Sequence, residues 1–168
     1  MSVVESLNGL TREAFVARLG SIYEHSPWVA ERCFEARPFA SLEALHAAMQ
    51  RTMLAATADE QMALIRAHPE LAGRLAAAQL TEQSRAEQAG SGLDRVSPDE
   101  RARMQALNDR YREKFGFPFI VAVKGLGWSD IIERMEARLP NTREEEIATA
   151  LEQIGRIARF RLEAMGPA

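Results

Sequence analysis

Phe117-Pro118-Phe119-Ile120-Val121-Ala122-Val123-Lys124-Gly125 is the stretch on which the fold class turns. Its β-branched and aromatic run suits either a buried strand or a helix buried on every side, and periodicity alone does not separate the two. No other run in the chain reads as a second strand, and a single strand cannot form a sheet. The stretch is therefore expected as helix or extended loop. The chain is expected to be all-α, a single domain over residues 1–168 built as a compact bundle of about seven to nine helices.

Outward from this stretch the chain is punctuated by helix starts. Upstream, Ser97-Pro98-Asp99-Glu100 combines a cap, a first-turn proline and a box glutamate. It opens a long helix through Met104, Leu107, Asn108, Tyr111 and Phe115, with Gly116 as terminator. Downstream, Ser129 is expected to cap a helix carrying Ile131, Ile132, Met135 and Leu139 and ended by Pro140. Thr142-x-x-Glu145 then boxes the last helix, with Ile147, Leu151, Ile154 and Ala158 inward.

Nearer the N-terminus, Thr11 caps a helix whose face holds Phe15, Leu19, Ile22 and Tyr23, and Ser26-Pro27 caps a short helix over 28–34. After Pro38, Ser41 restarts a stripe of Leu42, Leu45, Met49 and Met53, with His46 at its boundary; His25 reads as a linker residue. Thr57-x-x-Glu60 boxes the helix that runs to Ala67. An alanine-rich segment continues to Gln79. Thr81 can then cap a helix on which Ser84 and Glu87, three apart, share a face, and Gly90-Ser91-Gly92 stops it.

With 168 residues, 46% apolar and 27% charged, the chain has the composition of one soluble globular domain. Its 21 basic and 24 acidic side chains are intermixed and sum to −3, which argues against a nucleic-acid surface. Cys33 is the only cysteine, so no internal disulfide forms and a reducing compartment is expected. It sits in an apolar pattern without an acid/base neighbour and reads as core. No run approaches the roughly 18 apolar residues of a membrane span, and no basic-then-apolar signal opens the chain, so the cytoplasm is the expected location.

Two residues depart from this helical pattern. His68 stands where Pro69 forbids the helix from continuing, because the proline ring lacks an N–H and drives the preceding residue out of the α region. It is either a plain helix stop or a proton carrier held at a helix end, where the macrodipole favours imidazolium. Arg161 continues the stripe of Ile154 and Ala158. It either reaches solvent, forms a structural salt bridge, or clamps a carboxylate or amide-rich ring. Ser84 and Glu87 alone make an ordinary polar face. No metal-ligand spacing, phosphate loop or nucleophile motif is present. Cofactor-free acid/base chemistry on a small anion fits these residues; a helical binding or scaffold module would use the same caps and stripes.

An ordered set of motifs sharpens this choice. His-Pro-Glu-Leu-Ala-Gly at 68 to 73, Leu80-Thr81 with Ser84-x-x-Glu87-Gln88, Gly92-Leu93, Asn108-x-x-Tyr111 and Lys114-Phe115-Gly116-Phe117-Pro118-Phe119-Ile120 together resemble 2-oxo-4-hydroxy-4-carboxy-5-ureidoimidazoline (OHCU) decarboxylase. Glu24-His25-Ser26-Pro27-Trp28-Val29 and Arg161-Leu162 extend the likeness to about residues 10 to 163. Glu70 stands where aspartate is also familiar.

The resemblance implies an all-helical enzyme of urate breakdown. It would form (S)-allantoin as a homodimer without metal or organic cofactor and would engage neither nucleic acid nor membrane. By matched position it implies His68 and Glu87 as catalytic acid/base residues. It implies Pro69, Ser84, Phe117, Phe119, Val121 and Arg161 as substrate-binding residues.

Overall fold

Side-chain caps set where the helices begin. The computed structural model of the chain describes residues 1–71 and 97–165, and within these residues the regular structure is helical, without a strand. α1 (Val3–Asn8) opens on a reciprocal box between Ser2 and Glu5, and α2 (Arg12–Leu19) on Thr11, whose hydroxyl accepts from the Ala14 N–H at 3.2 Å. α3 (Trp28–Cys33) runs into a 3₁₀ turn over Phe34–Ala36. α4 (Leu42–Leu54) starts at Ser41, and α5 (Ala58–Ala67) at the Thr57–Glu60 box, whose two bonds are both 3.1 Å.

α6 (Pro98–Phe115) has the Ser97–Glu100 box and first-turn proline expected of it, and Gly116 ends it at φ +80°, a left-handed conformation that favours glycine. α7 (Trp128–Arg138) and α8 (Arg143–Met165) complete the set, the latter boxed by Thr142 and Glu145.

The deciding stretch is neither helix nor strand. Residues 118–123 are irregular backbone, and the Leu126 N–H closes a turn on the Val123 carbonyl at 2.9 Å beside Gly125 at φ +83°. Phe117, Phe119, Ile120, Val121 and Val123 are nonetheless buried. An apolar run thus packs as core while its backbone bonds go to side chains, described below, in place of a ladder.

Four local expectations need correction. Ile22 and Tyr23 lie beyond α2, which stops at Gly20; both are buried, but in a turn and not on the helix face. Ser26 does not cap α3: its hydroxyl donates to the Glu24 carbonyl at 2.9 Å, and Pro27 holds the cap position without a side-chain bond. Ser129 lies within α7, which starts at Gly127, where the Asp130 carboxylate accepts from the Gly127 N–H at 3.0 Å. On α8, Glu146 is fully buried where Ile147 was expected inward and is only half-buried.

The described residues fall into two compact units: Met1–Ala67 with the C-terminal part of α8 from Ile154, and His68–Gln153. In the first, α4 runs along the C-terminal part of α8, with His46 Nε2 2.8 Å from the Gly155 carbonyl and Arg159 bonded to Glu43 at 2.9 Å. Its core includes Leu7, Phe15, Val29, Cys33, Leu45, Met49, Met53 and Leu64. In the second, α6 and α7 pack together, tied by Arg103–Glu136 at 3.0 Å and by Lys114 donating to the Leu139 carbonyl at 2.6 Å. Tyr111, Phe115, Phe117 and Phe119 form its aromatic cluster, with centroids 4.5 to 6.0 Å apart. Among the described residues no helix is long and apolar enough to cross a membrane.

Candidate active site

α5 ends at Ala67, and His68 follows as the sequence requires, only 3% exposed, with Pro69 directly after it. Within the second unit, Glu70 forms an ion pair with Arg112 of α6, which fastens the chain just past the histidine to that helix. Ser84 and Glu87 lie outside the described residues, as do the Thr81 cap and the Gly90-Ser91-Gly92 stop.

The 117–123 segment is held from behind by long polar side chains. Arg138 Nη1 donates to the Ile120 carbonyl at 2.7 Å, and the Ala122 N–H donates to Gln153 Oε1 at 3.0 Å. Arg138 also lies 4.3 Å over the Phe119 ring. Its charge is met by Glu146, whose Oε1 accepts from Arg138 Nε at 2.8 Å and from the Tyr111 hydroxyl at 2.5 Å, while Oε2 accepts from Asn141 at 2.9 Å. Burial first, and then the bond to Glu146, hold the Tyr111 phenol above its ordinary pKa.

Sequence reading missed this network because Glu144-Glu145-Glu146 looks like ordinary first-turn acidity favoured by the helix dipole. The available signal was the inward spacing from Glu146 to Ala150 and Gln153.

Arg161 resolves toward burial: it is 2% exposed in the first unit. Its Nη1 donates to the Ile22 carbonyl at 3.2 Å and lies 2.9 Å from Glu24 Oε2. Glu24 is itself 2% exposed and was not singled out from the sequence beyond its place in the Glu24-to-Val29 motif.

Two further findings concern α6. Asn108 is 1% exposed, and its amide has no hydrogen-bond partner among the described residues. A cleft of about 660 Å³ between α6 and α7, lined by Leu107, Arg110, Lys114, Glu136, Leu139 and Pro140, contains none of the expected site residues. Cys33 is core, as read: burial pushes its thiol up to about 11, and it is 1% exposed.

The all-α architecture is shared with a solved protein, an (S)-allantoin synthase 30% identical in sequence, at a TM-score of 0.77 over 96% of this chain and 53% of that one. By fold, then, the chain is an all-helical protein whose architecture matches about half of that solved chain. Among curated proteins, the 2-oxo-4-hydroxy-4-carboxy-5-ureidoimidazoline decarboxylase of Halalkalicoccus jeotgali is 44% identical over 162 residues, 96% of this chain and 90% of that one. Its counterpart from Haloferax volcanii is 43% identical over 159 residues, 95% and 93% of the two chains. The sequence model for OHCU decarboxylase matches residues 8–163, and the chain belongs to that family.

Proposed function

We infer that the chain decarboxylates 2-oxo-4-hydroxy-4-carboxy-5-ureidoimidazoline to (S)-allantoin, acting as a carbon–carbon lyase in urate breakdown. The observation that carries this is the near full-length family match at 8–163, which takes in every residue expected at the site.

The substrate bears a carboxylate and a hydroxyl on one ring carbon, next to a ring carbon doubly bonded to nitrogen. When the bond to the carboxylate breaks, CO₂ departs and its electron pair forms a double bond to the neighbouring carbon. The imine electrons move onto nitrogen, which takes up a proton. The resulting enol loses its hydroxyl proton and gains one on the adjacent carbon, giving a ring amide carbonyl and a new stereocentre. The substrate supplies its own electron sink, so the chemistry asks the protein for orientation, proton handling and delivery from one side.

His68 serves as the principal acid/base at the substrate hydroxyl or carboxylate, and its burial favours a dry reaction. Glu87 orients the ureido or ring N–H groups and shares in proton transfer. Ser84 and Arg161 bind the substrate's polar edge. Pro69 aims the histidine. Phe117, Phe119 and Val121 offer backbone groups from a segment that Arg138 and Gln153 hold in place. The working protein is proposed to be a cytoplasmic homodimer of a single domain per chain, without metal or organic cofactor.

The direct test is to mix the purified protein with freshly generated substrate and follow optical activity. Stereospecific (S)-allantoin above the spontaneous racemic background supports the assignment; product that stays racemic at the background rate overturns it.

A further inference from the structure

Arg161 continues an apolar stripe, so the fold must meet its charge. One tight segment, residues 21–24, contributes to this. Gly20 closes α2 so tightly that a Cβ there would lie 2.6 Å from the Val16 carbonyl oxygen. The chain then turns: the Ile22 N–H donates to the Leu19 carbonyl at 3.1 Å, and the Ser26 N–H to the Tyr23 carbonyl at 3.0 Å. His25 takes the strained φ of +48° that completes the bend, and the Ser26 hydroxyl ties back to the Glu24 carbonyl at 2.9 Å. Ile22 and Tyr23 anchor the turn in the core, at 2% and 0% exposure.

The result is a preformed cradle. Arg161 Nη1 donates to the Ile22 carbonyl at 3.2 Å and reaches the Ser21 carbonyl at 3.5 Å. Glu24 Oε2 lies 2.9 Å from the same nitrogen, yet among the described residues it receives no hydrogen bond of good geometry. The two carbonyls therefore use the N–H groups of Nη1, and Glu24 contributes its charge.

We propose that Glu24 is a positioning residue for the decarboxylation: it acts through Arg161, neutralising the buried guanidinium and holding it in the one orientation in which it meets the substrate. The proposal rests on the assignment of Arg161 as a substrate-binding residue. A fixed guanidinium offers the ureide a binding group already in place, so a displaced one weakens substrate binding. Removing the charge of Glu24 leaves the cradle's carbonyls in place but frees the arginine to shift toward water.

The test is a double-mutant cycle read in KM and kcat. Glu24→Gln is expected to lower kcat/KM by at least about 10-fold, chiefly through a raised KM, with the helical circular dichroism retained. Arg161→Gln is expected to lower it at least as far, and Glu24→Gln/Arg161→Gln to be no worse than Arg161→Gln alone. Glu24→Asp keeps the charge but withdraws it by one methylene; it is expected to raise KM about threefold or more with kcat within about twofold, and it decides the matter should Glu24→Gln not fold. Wild-type kinetics in Arg161→Gln refute the assignment of Arg161 and so remove the premise. An impaired Arg161→Gln beside wild-type KM in the folded Glu24 variant overturns the positioning role alone, as does a double variant whose defects simply multiply.

Discussion

Glu146→Ala should be among the most damaging single substitutions in the second unit. Glu146 is fully buried and holds three donors, Arg138 at 2.8 Å, Asn141 at 2.9 Å and the Tyr111 hydroxyl at 2.5 Å. Its removal strands Arg138, whose side chain is 12% exposed, as a charge without its counter-ion. Breaking a buried pair from one side costs about 3–5 kcal/mol, because the remaining ion keeps its desolvation penalty. In a chain of this length each kcal/mol lowers the melting temperature by about 2–4 °C, so a fall of about 6–20 °C is expected.

Arg138→Met should cost a similar amount, since it strands Glu146 and also gives up the bond to the Ile120 carbonyl. Glu146→Leu/Arg138→Met removes both charges together and should cost clearly less than the two single changes added. Urea denaturation of wild type, both singles and the double variant measures the coupling. A Glu146→Ala cost below about 1 kcal/mol, or strict additivity in the double, would refute the idea that this pair is a coupled buried unit.

Other outcomes follow from the same structure. Glu60 is half-buried, and its carboxyl is held down to about 2, first by the bond from Arg32 and then by the Thr57 N–H. A depressed folded-state pKa gives stability that is complete above the unfolded value and lost as pH falls through the folded one. Glu60→Gln should therefore flatten the acid limb between about 4.5 and about 2 and leave the slope near neutrality alone; an unchanged acid limb counts against it. Cys33, its thiol pushed up to about 11 by burial, should react with a disulfide reagent near pH 8 only as fast as the protein opens, and prompt labelling of native protein would contradict this. Ser97→Ala removes the hydroxyl that accepts from the Glu100 N–H, while the backbone N–H of residue 97 still donates to the Glu100 carboxylate; it should cost about 1 kcal/mol by chemical denaturation, whereas Ser97→Gly should cost only a few tenths.

The helical frame was legible in the sequence because its cues are local. The boxes at Thr57, Ser97 and Thr142 and the cap at Ser41 all form as their spacing requires, and Gly116 takes the left-handed stop. Caps failed where a nearby group competed: Ser26 turned to the Glu24 carbonyl, and Asp130 reached the Gly127 N–H ahead of Ser129. The Phe117-to-Val123 segment resisted assignment because its hydrogen-bond partners, Arg138 and Gln153, are 18 and 31 residues away. Glu24 was illegible for the same reason: its carboxylate shows its burial only once the distant Arg161 is in place.

The identity of the proton carrier is tested most directly by turnover of His68→Ala beside wild type, with freshly generated substrate and optical activity as readout. Loss of at least about 100-fold in the rate of (S)-allantoin formation, with helical content and melting behaviour retained, is the expected result. Stereospecific turnover at the wild-type rate in that variant would contradict it.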